Sequence, residues 1–235
     1  NISDVCASGA VPAYLTVAIS IPDYINVDFL KEFYKGIKDA SGDVKIAGGD
    51  ITASDKLYIS VTAIGKTKDR KISSRSNAKS GYKVIVSEEH GNSAKGLRML
   101  QNGYRNFDNK FIKSHLMPNA NIVFSREIAK NTNCEYAMTD TSDGLADALM
   151  QIAKASNVLL DIDTSLIPHD KDVDTETALY GGEDYELVAC IPESTLKYLS
   201  KYYVIGDVKD TKCGIQLDGI FFDNIDDKIF NHFKS

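Results

Sequence analysis

The chain has 235 residues, 43% of them hydrophobic and 26% charged, which allows one large or two small domains with a real core and excludes disordered and collagen-like classes. Its formal net charge is −6, and no Lys/Arg-rich run has aromatics interleaved, so nucleic acid is not an expected partner. An acidic chain that handles anionic substrates needs local help from metals, an Arg or backbone N–H groups.

Strand and helix signals alternate along the chain. Residues 13–21 read as a buried strand closed by Pro22. Residues 27–40 read as a helix with Phe29, Leu30, Phe33 and Ile37 on one face. A short apolar run at 44–47 is broken by Gly48-Gly49-Asp50, and 57–64 alternates as a strand does. The polar stretch 66–80 has no apolar period, and a domain boundary is expected near its end, giving 1–78 and 79–235. Beyond it, 83–87 is a strand, 93–100 and 121–130 are helices, and 136–138 is a short strand entering Asp140-Thr141-Ser142-Asp143-Gly144. A helix marked by Leu145, Leu149 and Ile152 follows. Strands at 158–162, 186–191, 202–205 and 215–217 complete the pattern. Such alternation predicts α/β or α+β layers.

Cys6, Cys134, Cys190 and Cys213 form no C-x-x-C and no zinc framework. They read as reduced packing residues, which favours the cytoplasm. No apolar run approaches the roughly 18 residues of a membrane span, and no signal peptide is read. The chain opens on Asn1-Ile2-Ser3-Asp4 without Met, as a fragment, a processed form or the ordered part of a longer protein would. His90, His115, His169 and His232 show no metal-ligand spacing and read as structural or surface residues. No G-x-S-x-G, Walker A loop or Rossmann fingerprint is present.

Three clusters join acids to glycines or small residues at strand ends and helix starts. Gly48-Gly49-Asp50 is either a strand-ending turn or a place where backbone meets phosphate and a carboxylate holds Mg²⁺. Asp140 and Asp143 flank Ser142 at a helix start; one acid suffices for a cap, whereas a hard cation would use both. Gly181-Gly182-Glu183-Asp184-Tyr185-Glu186-Leu187 crowds three acids on one turn, either as a solvated loop or around a cation. Asp4 alone is an ordinary N-cap candidate. The Gly91-Asn92-Ser93-Ala94-Lys95-Gly96-Leu97 stretch is a turn into a helix.

In order along the chain, these clusters resemble the thiamine-monophosphate kinase family, within the superfamily typified by aminoimidazole-ribotide synthetase. The resemblance is carried by Asn1-Ile2-Ser3-Asp4 with Gly9-Ala10, Gly48-Gly49-Asp50, and Arg75 with Ala78 and Gly81. It continues through Gly91 to Leu97, His115-Leu116 with Pro118, Asp140 to Leu145, Gly181 to Leu187, and His232-Phe233. G-G-E-D-Y-E-L separates this family from its relatives. The chain departs from the pattern at Tyr82, where relatives carry Asp, at Ser87-Glu88-Glu89-His90, where they carry T-G, and at Phe230 and Asn231, where they carry Tyr and Asp. Relatives also begin with a segment bearing further aspartates in G-D-D-A and T-D motifs.

The resemblance implies a two-domain PurM-like α/β (α+β) fold, with an N-terminal dimerising sheet and a larger C-terminal mixed-sheet domain, assembled as a homodimer. It implies transfer of the ATP γ-phosphoryl group to thiamine monophosphate, with several Mg²⁺ ions held at Asp4, Asp50, Asp140 and Asp143. Tyr34, Gly49, Arg75 and Ser142 match ATP-contacting positions, and Glu183 and Phe230 match positions near the thiamine substrate. The acceptor is itself an ionised phosphate, so no general base is expected, and neither is a phosphoenzyme. Two alternatives stay open from the residues: another ATP-using member of the superfamily, and a non-catalytic nucleotide-binding homologue.

Overall fold

The computed structural model describes residues 1–68 and 70–228. Phe230, Asn231, His232 and Phe233 lie outside the described residues. The chain begins with helix α1 (Ile2–Ala7), followed by strand β1 (Val11–Ile21), helix α2 (Val27–Ser41), and strands β2 (Lys45–Ala53) and β3 (Tyr58–Lys66). These strands form a three-stranded sheet in the order β2-β1-β3, with β1–β2 parallel and β1–β3 antiparallel. Strand geometry sends alternate side chains to opposite faces. Leu15, Val17 and Ile19 are buried on one face of β1, while Tyr14, Thr16, Ala18 and Ser20 stand on the other. Ile37 of α2 lines a cavity with Leu15 and Val61, so the amphipathic helix covers the apolar face.

The Gly48-Gly49-Asp50 cluster corrects the expectation of a broken run. It lies inside β2, which continues unbroken to Ala53. The register against β1 skips Ala47, pairing Leu15 with Ile46 and Thr16 with Gly48, so the irregularity is absorbed as a bulge rather than a turn. Gly49 is required by close approach: a Cβ there would sit 1.8 Å from the Val17 carbonyl oxygen.

A short 3₁₀ turn (Arg75–Asn77) leads into the second layer. It contains β4 (Lys83–Val86), α3 (Asn92–Gln101), α4 (Lys110–Leu116), α5 (Ile122–Asn131), β5 (Ala137–Asp140), α6 (Leu145–Ser156) and β6 (Leu159–Ile162). Then come α7 (Thr175–Tyr180), β7 (Leu187–Ile191), β8 (Tyr203–Lys209), β9 (Gly214–Leu217) and β10 (Ile220–Phe222). The seven strands form one mixed sheet in the order β10-β9-β6-β8-β4-β7-β5, antiparallel throughout except for β6 beside β9. Period-two alternation divides its core in two. Val84, Val86, Val188 and Cys190 pack with α6 and α7 on one face. Ile85, Leu187, Ala189 and Ile191 pack with α5 on the other. Helices α1, α4 and α7, of six or seven residues each, have too few turns to show a readable period in sequence.

α1 is the first element of the chain, yet it packs in the core of the second layer. Cys6 and Ala7 join Ile85, Phe124 and Tyr136, and Ser125 Oγ donates to the Cys6 carbonyl at 2.6 Å. This placement carries the first turn of α1 to the end of β5. Cys6 and Cys190 are buried and all four cysteines are free thiols. Among the described residues no helix is long and apolar enough to cross a membrane.

Candidate active site

Asp140 ends β5 opposite Leu187, and Thr141 N–H donates to the Glu186 carbonyl at 2.9 Å, extending the pairing one residue into the acidic turn. Helix α6 then starts with Gly144 at its N-cap and no side-chain capping bond. Neither Asp140, Ser142 nor Asp143 serves as a cap, so the reading of this cluster as capping alone does not hold. Asp4 is likewise no N-cap: Asn1 holds that position and Asp4 lies in the first turn of α1.

Ser3 Oγ donates to Asp140 Oδ2 at 2.7 Å. Burial pushes the Asp140 carboxyl up, the Ser3 hydrogen bond holds it down, and the charge of Asp4 pushes it up again. Asp4, Asp140 and Arg75 line one cavity of about 400 Å³ together with Ser74 and Thr139. Arg75 Nε donates to Thr139 Oγ1 at 3.1 Å. Its backbone is pinned to the end of α6, where Ser156 Oγ donates to the Arg75 carbonyl at 2.6 Å and accepts from Ala78 N–H at 3.0 Å. Asp147, one turn into α6, has its carboxyl raised chiefly by burial, with Asp143 adding to the rise and Arg75 opposing it. Ser3 and Asp147 were not singled out from sequence; the i, i+4 spacing of Asp143 and Asp147 was the available signal for the second.

The 181–187 turn closes over the same acids. Gly182 packs on the Asp140–Asp143 turn so tightly that a Cβ would lie 2.6 Å from the Ser142 carbonyl oxygen, which also accepts from Glu183 N–H at 2.7 Å. Glu183 and Tyr185 adopt left-handed backbone, with φ of 70° and 56°, a conformation that costs energy in non-glycine residues and persists where surrounding contacts impose it. Tyr185 Oη donates to Glu183 Oε2 at 2.9 Å. Its phenol is pushed up to about 12 by burial, by that hydrogen bond, and by the charges of Glu183, Asp140 and Asp143.

The other two acids of the turn point elsewhere. Asp184 accepts from Gly91 N–H at 2.6 Å and Ser93 N–H at 2.9 Å, capping α3. Glu186 accepts from Ser87 Oγ, and from Asn121 Nδ2 at 3.4 Å. Burial pushes Asp184 up to about 6 and Glu186 up to about 7. The cluster is therefore not a solvated loop: one exposed acid, Glu183, accepts from Tyr185, and two half-buried or buried acids hold the frame.

Ser142 thus lies between Asp140 and Asp143 under the Gly182–Glu183 turn. Gly49, Asp50 and Tyr34 stand on the small sheet and its helix: Asp50 accepts from Ile51 N–H at 2.9 Å, and the Tyr34 ring meets Phe33 edge-on at 5.5 Å. Among the described residues no hydrogen bond or ion pair joins Asp50 or Tyr34 to the Asp4–Asp140 pair. Among the same residues no three His, Cys, Asp or Glu side chains converge as a closed metal cage. Two carboxylates and an Arg at one cavity fit Mg²⁺, which takes one or two carboxylates and fills its shell with water and substrate phosphates. A second cavity of about 290 Å³, largely apolar, is lined by Tyr185, Pro118, Leu15, Ile37 and Val61.

The N-terminal domain family of AIR synthase related proteins matches residues 1–67. The thiamine-monophosphate kinase of Aquifex aeolicus is 31% identical over 99% of this chain and 78% of its own length. That of Synechococcus elongatus is 33% identical over 81% of the chain; the match spans 62% of that relative. Among solved structures, AaThiL complexed with AMPPCP and TMP superposes with a TM-score of 0.87 at 31% identity, over 99% of this chain and 77% of that one. The likeness bears out the PurM-like α/β fold.

Proposed function

The chain belongs to the thiamine-monophosphate kinase family, and from that membership we propose that it transfers the γ-phosphoryl group of ATP to thiamine monophosphate, yielding thiamine diphosphate and ADP. The observation that carries the reading is the shared cavity of Asp4, Asp140 and Arg75. Donor and acceptor are both anionic, so the obstacle is repulsion rather than proton removal. Mg²⁺ held by Asp4, Asp140 and Asp143, with Asp50 from the small sheet, would supply positive charge at the phosphates. Arg75 is a fixed cation beside them, positioned through Thr139. Ser142 and the first N–H groups of α6 offer donors to phosphate oxygen. Gly49 and Tyr34 are proposed to contact ATP, and Glu183 and Phe230 thiamine monophosphate. No side chain is asked to act as general acid or base, and transfer is direct and in line.

The cavity under Tyr185 is apolar and adjoins Glu183 through the Tyr185 hydroxyl, which suits the aromatic rings of a thiamine phosphate. A homodimer through the small sheet is part of the proposal. Tyr58 and Ile64 of β3 pair with Ser20 and Tyr14 on the face of the small sheet away from α2 and are 60% and 47% exposed, an apolar display that solvent-facing sheets avoid unless something covers it. The same reading divides the chain at 1–78 and 79–235, and free buried thiols accord with a reducing compartment such as the cytoplasm.

Incubation of the purified protein with Mg²⁺, ATP and thiamine monophosphate is expected to give thiamine diphosphate, and chelation of the metal to stop it. A folded protein that forms no product under these conditions would refute the assignment. A sedimentation experiment showing a monomer at assay concentration would remove the dimer.

A further inference from the structure

Three cations converge on a small cavity that shares no residue with the phosphoryl-transfer site. Arg126 and Lys130 lie four residues apart on the outer face of α5, with Val123 and Glu127 beside them, and Arg70 reaches the same place from the segment after β3. These five side chains line a cavity of about 310 Å³. The chain carries 33 acidic residues against 27 Lys and Arg, so partners for cations are plentiful. Yet Arg70, Arg126 and Lys130 make no ion pair among the described residues. The one acid lining the cavity among the described residues is engaged elsewhere: Glu127 Oε2 accepts from Ser200 N–H at 2.8 Å and Ser200 Oγ at 3.0 Å.

The decisive atom is Arg70 Nη1, which is buried with no hydrogen-bond partner among the described residues. A buried donor left unsatisfied is destabilising, and more so when charged. Its neighbour is held in place, because the Lys71 carbonyl accepts from Tyr136 Oη at 3.3 Å. The backbone beside Arg70 is therefore anchored where the Arg70 side chain lines the cavity. Like charges gathered around an unsatisfied N–H are relieved by one occupant, an anion with several oxygens. Guanidinium forks bind such oxygens in pairs, and a Lys adds a point charge.

We propose that Arg70, Arg126 and Lys130 form a binding site for a phosphate group, either free or as the head of a small phosphomonoester. The site lies behind α5, whose opposite face holds α1 through Ser125 and Cys6. Among the described residues it shares none with the positions proposed for ATP and thiamine monophosphate.

The test is calorimetric titration of the whole protein with inorganic phosphate and, in a second arm, glycerol 3-phosphate, at ionic strength fixed with chloride. Both arms are run with Mg²⁺ and a non-hydrolysable ATP analogue present. Wild type is expected to bind at least one of the two. The Arg126→Gln/Lys130→Gln double variant is expected to lose at least tenfold in affinity while keeping its KM for ATP and for thiamine monophosphate. Tighter binding in the second arm identifies an esterified ligand, and tighter binding in the first a free one. Arg70→Lys, which keeps the charge and removes the fork, should weaken binding without unfolding the protein. Equal titrations for wild type and both variants, or a response to chloride equal to that to phosphate, would overturn the proposal.

Discussion

Ser3 donates its hydroxyl to Asp140 Oδ2 at 2.7 Å, joining the first turn of the chain to a strand end 137 residues later. That bond stabilises the ionised carboxylate against burial and against the nearby charge of Asp4. Ser3→Ala is expected to raise the Asp140 carboxyl further, because a hydrogen bond to the charged form is lost. The acid limb of the pH–rate profile should move to higher pH, with a stability loss of about 1 kcal/mol. Paired rate profiles and urea melts of the two proteins check both parts.

Asp143→Asn and Asp50→Asn preserve shape and remove one charge each. Turnover should fall on the order of 100-fold or more, as when an electrostatic group at a reacting centre is removed. Asp143 is exposed and caps nothing, so melting temperature should stay within a few degrees. A turnover equal to wild type would deny these carboxylates a metal role.

Glu183→Ala removes the acceptor of the Tyr185 hydroxyl and the one exposed acid of its turn. It should raise KM for thiamine monophosphate more than KM for ATP. Initial-rate kinetics with each substrate varied separately decide this, and the reverse pattern would exchange the two sides of the site.

Gly182→Ala places a methyl group 2.6 Å from the Ser142 carbonyl oxygen. The two turns must separate, which breaks the Glu183 N–H bond to Ser142. Activity should drop at least tenfold, with a destabilisation of about 1–3 kcal/mol from overpacking against backbone. Thermal melts and rates on the same preparation measure the two effects.

Glu186 and Asp184 make stability depend on pH in a defined direction. Their carboxyls are raised to about 7 and about 6 by burial, so the folded state holds these protons more tightly than the unfolded chain. Their contribution is full below the ordinary carboxylate range and is lost as pH rises through the raised values. Melting temperature should fall between about pH 4 and about pH 7 from this source. Glu186→Gln, which keeps an acceptor for Ser87 and Asn121, should flatten that fall.

Much of the fold was open to reading from local pattern. The alternation of β1 and the apolar stripe of α2 follow from side-chain direction alone, and the residues of the acidic turns were visible as clusters. Packing settled what local pattern left open. Gly48-Gly49-Asp50 reads as a break because glycine and aspartate disfavour strands, but pairing with β1 carries the strand through and tolerates only glycine at 49. The three acids of 183–186 are indistinguishable in sequence; the fold leaves Glu183 exposed and bonded to Tyr185 while Asp184 and Glu186 turn to α3 and Ser87.

By itself the sequence determined the layered α/β class, the family, and the residue types a phosphoryl-transfer site draws on, since periodicity and short motifs are local properties. Only the tertiary structure decided that α1 packs in the second layer and sets Ser3 and Asp4 beside Asp140. It also decided that Arg75 leans on Thr139 and that Arg70 meets Arg126 and Lys130. Each of those meetings joins segments far apart in the chain, and their proximity is set by which face of the large sheet each helix buries.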